Sequence, residues 1–309
     1  MRRMVTSPGK TVAVIDIGSN TIKLTVARIT GGRIKPIFAA AEVVRLGEGV
    51  RTTGRIREDR IDPAVRTLRR FAGHARKRGA DQITAVATEA TRAAANGPDF
   101  LARVKSDVGI DVDVLDGKAE AQLTSEGVLA QINPSGSLLI VDIGGGSTEL
   151  IATHNGMLRD SISLSIGSGS MTDEFITHDP PSIAELDMVE LAAREKIATF
   201  LTDAGPYDRM VLVGGTGEFL LAMIGRSGRV EATVLETGRR FVLAVTAAEL
   251  ARVVGMPVAR AHVLPAGFAI ARSVNRLAAA PVLESVANGL RMGLLLRYAR
   301  LPVREDSTT

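Results

Sequence analysis

One short pattern occurs twice in this chain and restricts its fold more than any other feature. It reads Val14-Ile15-Asp16-Ile17-Gly18-Ser19-Asn20-Thr21 near the start and Ile140-Val141-Asp142-Ile143-Gly144-Gly145-Gly146-Ser147-Thr148 near the middle. Each copy is an apolar run ending in Asp-Ile-Gly, followed by small residues and a second apolar run, at 22–29 and at 149–153. Such a pattern predicts a β-hairpin whose turn stays open to a ligand. Glycine lets the backbone approach a bulky group, and successive turn N–H groups form a concave nest for an anion. Two facing copies predict a phosphate clamp built from related halves.

The chain of 309 residues is long enough for two domains, and 45% hydrophobic with 23% charged residues describes a globular protein with ample core. No apolar run reaches the roughly 18 residues of a membrane span, and residues 1–10 lack the apolar core of a secretory signal. A cytoplasmic location without a membrane partner is the resulting expectation. The absence of cysteine excludes thiolate catalysis and Cys-ligated metals, and the four histidines have no ligand spacing, so any metal is expected on oxygen ligands. The sequence pI is 9.7, with Arg66, Arg69, Arg70, Arg76, Lys77 and Arg78 clustered in one segment. That cluster reads first as the solvated face of a helix, and second as a guide for a polyanion. Aromatic residues make up only 3%, with no Trp, which argues against a base-stacking nucleic-acid platform.

Strands are expected at 11–16, 22–29 and 34–40, the last two joined at Gly31-Gly32. A helix at 63–77 follows Asp62 as N-cap and Pro63 at its first position. Next come a strand at 82–87, helices at 89–95 and 99–108, and a strand at 112–115. The second half repeats the scheme with strands at 138–142, 149–153 and 158–164, the last two joined by Asn155-Gly156. A helix is expected at 183–201 and a strand at 209–213. Gly214-Gly215-Thr216-Gly217 then forms a loop before a helix from Glu218, a second anion-binding junction. A last helix is read at 282–298, with a frayed tail beyond residue 304. The domain boundary is placed in a helix at 121–131, dividing 1–126 from 127–309, with the 282–298 helix returning to the first half.

Taken with Thr88, Arg92 and the segment Asp116-Gly117-Lys118-Ala119-Glu120-Ala121, these motifs resemble the exopolyphosphatase and guanosine pentaphosphate phosphatase (Ppx/GppA) family, from Val12 to about Leu296. The resemblance implies an α/β fold of two ribonuclease-H-like domains, of the actin-like ATPase superfamily, flanking a central phosphate-binding cleft. It implies that Glu120 is the catalytic carboxylate, matching the second glutamate of a Gly-x-Glu-Glu-Ala pattern whose first position is Ala119 here. A carboxylate beside a terminal phosphoryl group orients and deprotonates water, worth roughly 10²- to 10⁴-fold. Phosphate contacts are expected from Gly18, Ser19, Asn20, Gly144, Gly145, Gly146, Ser147, Gly214, Gly215 and Thr216, and from Arg92, one helical turn after Thr88. Asp16, Asp142 and Glu149 are expected to hold magnesium, with room for potassium as a second ion. Glu149 follows Asp142 by seven residues where Lys23 follows Asp16 by seven, so equivalent positions carry opposite charge, suggesting metal on one side.

Two departures stand out. The family's Gly-Ala-Val-Arg-Leu appears as Gly167-Ser168-Gly169-Ser170-Met171, without its arginine, and Gly-Leu-Arg-Glu-Gly appears as Gly289-Leu290-Arg291-Met292-Gly293, leaving Arg291 a supporting role. His178, in a proline-rich context, reads as a loop residue. The expected reaction is hydrolysis of the terminal phosphoanhydride of inorganic polyphosphate, with a homodimer as an admissible assembly. Guanosine pentaphosphate is the alternative substrate, and an ATP-dependent kinase or a non-catalytic polyphosphate sensor is the alternative in other classes.

Overall fold

A computed structural model describes residues 9–201, 206–223 and 228–300 of the chain. In the first half, β1 (Lys10–Ile17), β2 (Thr21–Thr30) and β3 (Arg33–Val43) form an antiparallel meander, followed by α1 (Val50–Thr53) and α2 (Glu58–Lys77). Then come β4 (Gln82–Ala87), α3 (Glu89–Ala93), α4 (Gly97–Val108), β5 (Val112–Val114) and α5 (Gly117–Leu129). The strands align in the order β3-β2-β1-β4-β5, with β4 and β5 parallel to β1.

The second half opens with the meander β6 (Ser137–Ile143), β7 (Thr148–His154) and β8 (Met157–Leu164). It continues through α6 (Ser168–Phe175), α7 (Ile183–Leu201), β9 (Arg209–Val213), α8 (Gly214–Met223), β10 (Val230–Glu231) and α9 (Val234–Val242). It ends with α10 (Ala247–Val254), α11 (Val258–Ala261), α12 (Leu264–Ala278), β11 (Val282–Val286) and α13 (Leu290–Arg300). Its sheet runs β10-β11-β9-β6-β7-β8, so the first sheet's order recurs with β10 added antiparallel at the edge. The repetition extends to an irregularity. A bulge falls at Val26/Ala27 in β2 and at Ala152/Thr153 in β7, ten residues after Asp16 and Asp142 respectively. Both halves are ribonuclease-H-like, and the fold is the mixed α/β arrangement with two sheets about a cleft.

Apolar patterning explains the layers. α2 and α4 turn Leu68, Phe71, Phe100 and Val104 onto the outer face of the first sheet, and α7 and α12 turn Val189, Ile197, Phe268 and Val274 onto the outer face of the second. Arg272 of α12 is buried with them and is stabilised by Glu190 of α7 and Glu236 of α9, since a buried charge persists only when paired. Between the sheets lie α5 and α13. Leu123, Leu290 and Leu294 pack on Val12, Val14 and Val86 of the first sheet, whereas Ala121 and Val128 pack on Ile140, Val211 and Val286 of the second. Helix α5 therefore serves both sheets.

The two inner helices approach to backbone contact. A Cβ on Gly127 would lie 2.0 Å from the Gly289 carbonyl oxygen, and one on Gly293 would lie 2.0 Å from that of Leu123. Only hydrogen fits at either place.

Four sequence expectations change. Helix α2 begins at Glu58, so Pro63 lies inside it and not at its first position. Glu58 and Asp59 favour the helix's positive end, Arg57 grips Asp59 through two 2.9 Å hydrogen bonds, and burial of Ile61 holds the first turn on the core. The single hydrogen bond that Pro63 cannot donate does not outweigh these. Helix α3 stops at Ala93, because Ala94 turns extended and the next N–H bonds to Gly54. The expected loop 214–217 is the first turn of α8, entered through Gly214 at φ +70°. The expected helix at 282–298 divides. Val282–Val286 completes the sheet beside β9, and α13 starts only after Gly289, pressed against Val213 and Thr124. The tail beyond residue 304 lies outside the described residues.

Adding a methyl group at the helix crossing should be costly, because the obstacle is backbone that cannot rotate away. Gly293→Ala is expected to destabilise by about 3 kcal/mol, read as a lower urea midpoint, whereas Gly73→Ala, where a Cβ meets nothing within 4 Å, should change it little.

Candidate active site

Strand pairing sets the site. In β1–β2, Asp16 stands opposite Lys23, and in β6–β7 Asp142 stands opposite Glu149. The turns that follow are built alike. Gly18 N–H donates to the Thr21 carbonyl at 3.2 Å, and Gly144 N–H donates to the Ser147 carbonyl at 2.9 Å. The turns also touch. A Cβ on Gly145 would lie 2.6 Å from Asn20 Cβ, and one on Gly146 would lie 2.6 Å from Ser19 Oγ. Glycine at these two positions lets two nests meet face to face.

A cavity of about 90 Å³ lies between them. Gly18, Ser19, Asn20, Gly144, Gly145, Gly146, Ser147, Gly214, Gly215 and Thr216 line it, as do Asp16, Asp142, Glu149 and Glu120. The sequence reading therefore brings together every expected residue except one. Arg92, expected to touch phosphate, is not among the lining residues. Its guanidinium donates to Glu89 and to the Leu115 carbonyl and lies 3.5 Å from Glu120 Oε2. The short helix α3 points it back at the end of β5 and the start of α5, so it acts on the cleft through Glu120 and, electrostatically, on Glu149.

Glu120 reaches the cavity because α5 starts one turn earlier. Asp116 caps the helix by accepting from Ala119 N–H at 2.7 Å, so the position that departs from the family pattern serves the cap through its backbone. Glu120 is only 7% exposed, and its Oε2 has no hydrogen-bond partner. Burial first, and then the neighbouring Glu149, Asp142 and Asp16, push its carboxyl up to about 10, against the pull of Arg92. Glu149 is pushed up to about 8 by burial and by Asp142, while hydrogen bonds from Ser163 and Ser147 oppose the rise. Burial also raises Asp142 and lowers Lys23, whose ammonium is countered by Asp16 and Asp142. The exposure these two retain opens into the cavity they line.

Three further cations complete the site, of which the motifs mark only Arg291, in a supporting role. Lys23, noticed in the sequence only as a charge difference, lines the cavity. Arg260 of α11 lies over the Phe219 ring with 4.9 Å to its centroid, and a Cβ on Gly215 would fall 1.6 Å from its guanidinium. No sequence signal marks Arg260, a lone charge in an apolar segment. Arg291 donates to Asn288 Oδ1 at 2.6 Å and interacts electrostatically with Asp16 and Asp142. Thr21, Thr88 and Ser168 add hydroxyls, and Phe219, Val263, Leu264 and Leu290 add an apolar end.

The basic segment of α2 lies elsewhere. Arg69 donates to the Asp107 carbonyl, Arg70 pairs with Glu42 at 3.0 Å, Arg76 donates to the Val108 carbonyl, and Arg78 sits over the Phe38 ring. Four of its arginines are thus held by the protein itself, as a solvated helix face would be. His178 pairs with Glu185 at the start of α7, in keeping with a loop role. No single described helix is long and apolar enough to cross a membrane.

Four carboxylates and a ring of cations around one small cavity suit a polyanion that arrives with its own counter-cation. Among the described residues no three His, Asp or Glu side chains make a closed metal cage. Magnesium does not require one, since it is commonly held by one or two carboxylates plus substrate phosphates. The buried carboxyls of Glu120, Asp142 and Glu149, each raised by burial and by its acidic neighbours, fit such an open site.

Comparison with known proteins identifies the family. The model of the Ppx/GppA phosphatase family matches residues 25–301. Exopolyphosphatase 1 of Mycobacterium tuberculosis is 32% identical over 312 residues, covering 96% of this chain and 90% of its own. A crystal structure of the Aquifex aeolicus Ppx/GppA family member superposes with a TM-score of 0.78 at 30% identity, covering 94% of this chain and 98% of that one. A crystal structure of an exopolyphosphatase from Cytophaga hutchinsonii gives 0.88 at 25% identity over the same shares. With its duplicated sheets, facing turns and buried carboxylates, the chain belongs to the Ppx/GppA phosphatase family.

Proposed function

We propose that this chain is an exopolyphosphatase that releases orthophosphate from the end of inorganic polyphosphate. The observation that carries the reading is Glu120: a buried carboxyl, paired with Arg92 at 3.5 Å through Oε2, that lines a cavity walled by two phosphate nests. The names of relatives at 32% identity support the substrate class.

In the proposed reaction the turns at Gly18–Asn20 and Gly144–Ser147 hold the terminal phosphoryl group through backbone N–H groups, and Lys23 and Arg260 balance its charge. Glu120 acts in its ionised form, which positive charge arriving with the substrate favours by offsetting the neighbouring acids that raise it in the ligand-free cleft. It orients water toward the phosphorus and accepts its proton, while Arg92 keeps the carboxyl aimed from behind. Asp142 and Glu149, with Asp16 directly or through water, would hold magnesium. When bound, that ion neutralises charge on the transferring group. Phosphoryl transfer of this kind depends mainly on positioning and electrostatics.

A second reading, hydrolysis at the 5′ end of guanosine pentaphosphate, draws on the cavity's apolar end at Phe219, Val263, Leu264 and Leu290, a surface that a bare phosphate chain does not need. A non-catalytic sensor is less favoured, because buried carboxylates facing an anion weaken binding and gain nothing without turnover.

Phosphate release from long-chain polyphosphate, guanosine pentaphosphate and ATP, with and without magnesium, tests both readings. Glu120→Gln is expected to lower kcat by roughly 10²- to 10⁴-fold with KM nearly unchanged. Equal activity in the variant would remove Glu120 from the reaction, and preference for the nucleotide would favour the second reading.

The raised carboxyls also predict a pH dependence. The folded protein keeps the Glu149 and Glu120 protons up to about 8 and about 10, whereas the unfolded chain releases them in the ordinary carboxylate range. The folded state therefore binds more protons across that window, and stability falls as pH rises. The Tm of the ligand-free protein is expected to drop between about pH 5.5 and 8.5, and Glu120→Gln, which has no proton to lose, should flatten the slope. A wild-type Tm that rises over this range would contradict it.

A further inference from the structure

The two phosphate turns belong to different sheets and touch at Gly145 and Gly146. Beyond that contact and the helices between the sheets, their facing geometry depends on what joins the halves at the rim. The backbone of the segment after β3 is tied to the first turn. Val44 N–H and Arg45 N–H both donate to the Asn20 carbonyl at 3.0 Å, and Gly47 N–H donates to the Ser19 carbonyl at 2.7 Å. Arg45 itself adopts the left-handed conformation, φ 51°, a state a non-glycine residue keeps only when its surroundings impose it. Across the rim, the start of α6 is tied to the second turn in the same manner. Ser168 N–H donates to the Gly144 carbonyl at 2.8 Å and Ser170 N–H to the Gly145 carbonyl at 2.9 Å.

Side chains connect these two anchored segments. Arg45 donates to Asp173 of α6 at 2.7 Å, while Glu48, 3.4 Å from its Nε, holds the other side of the guanidinium. Arg51 pairs with Glu174 at 3.2 Å and donates to the Ser165 carbonyl, and Ser165 donates to Glu89 at 3.1 Å. Behind them the halves are not packed together. A cavity of about 440 Å³ opens there, lined by Gly47, Glu48, Thr52, Ser170, Thr172 and His262 among others. Ion pairs, and not apolar surface, span this part of the seam.

We propose that Arg45 and Asp173 are positioning residues whose ion pair sets the two phosphate turns in register across the cleft. Neither lines the phosphate cavity between the turns. The inference rests on the phosphatase reading above only for its link to catalysis. Arg45 suits the task because a planar fork donates to Asp173 while pairing with Glu48, which holds direction as well as charge. With the pair broken, each turn keeps its own hydrogen bonds while their mutual placement loosens, so a phosphate chain meets two nests that no longer converge.

The experiment combines binding of inorganic tripolyphosphate in the presence of magnesium with hydrogen exchange of the backbone amides, for wild type, Asp173→Asn, Arg45→Gln, the double variant and Arg45→Lys. Asp173→Asn is expected to weaken tripolyphosphate binding about tenfold, in the range of pairs that share one network. It should also speed exchange at 18–21 and 44–47 on one side and at 144–147 and 168–173 on the other. Arg45→Gln should do the same, the double variant should be no worse than either single one, and Arg45→Lys should keep most of the affinity. Salt at about 0.5 M should weaken binding by every form, because the ligand is itself highly charged, and should weaken the wild type by a larger factor than the variants. Additive losses, exchange changes confined to the substituted side, or affinity within twofold of wild type would each overturn the proposal. Wild type that binds tripolyphosphate without hydrolysing polyphosphate would sink the phosphatase reading and leave the pair's role standing. Wild type that fails to bind tripolyphosphate leaves the exchange pattern to decide alone.

Discussion

Backbone contact between α5 and α13 determines where the rest of the molecule sits. Gly127 leaves space for nothing larger than hydrogen against the Gly289 carbonyl just before α13, and Gly293 against the Leu123 carbonyl of α5, and the crossing they permit places one helix layer between two sheets. Because α5 packs on both sheets, the position of its first turn is fixed from two sides. That turn carries Glu120. A carboxyl on a loop could escape to water, but one on a helix clamped by backbone contact has to remain where its burial raises its proton affinity. The helix crossing thereby governs the chemistry of the cavity as well as its shape.

The electrostatics follow from that confinement. Asp16, Glu120, Asp142 and Glu149 share one cavity with Lys23 and Arg260, and Arg92 and Arg291 stand behind them. An arrangement of this kind is poorly suited to a lone anion, which would face the carboxylates, and equally to a lone cation, which would face the guanidinium groups. It is suited to a phosphoanhydride and a divalent ion arriving together. Buried charges of both signs usually cost more than they return in stability, so the site is better understood through what it binds than through what it contributes to folding.

Much of this was legible in the sequence because duplication makes local signals reinforce each other. Asp-Ile-Gly alone is an ordinary turn, yet its recurrence at 16–18 and 142–144 gave both hairpins, and Asn155-Gly156 gave the following turn, where both residues have positive φ. The edges of the account failed where tertiary contacts outweigh local preference. Pro63 marks a helix start only if the preceding residues have no reason to be helical, and Ile61 and the Arg57–Asp59 pair supply one. Residues 282–298 form one apolar stretch, which does not reveal that its first part completes a sheet whose neighbour, β9, lies more than sixty residues earlier. Arg260 was invisible for a similar reason: its role comes from the glycine it covers, Gly215, and that contact exists only after folding. Arg92 was placed in the right neighbourhood, but its pairing with Glu89 and Glu120 was not legible, since helical spacing reports which face a side chain shares and not whether a carboxylate stands beside it.

The duplication also shows how one hairpin design comes to perform two tasks. Register places Lys23 opposite Asp16 in the first copy and Glu149 opposite Asp142 in the second, so the same pair of strand positions presents a near-neutral couple on one side of the cleft and two acids on the other. Identical charges at both positions would give a symmetric cavity with no preferred direction for a phosphate chain. Opposite charges give it polarity. In the proposed reaction the acidic side draws the counter-cation and the lysine side draws the phosphoryl oxygens, while Glu120, supplied by the helix between the sheets and not by either repeat, approaches from outside the pseudo-symmetric pair. A duplicated nest can bind phosphate without such a third contributor, but only an element that breaks the symmetry can give the attacking water a single direction of approach.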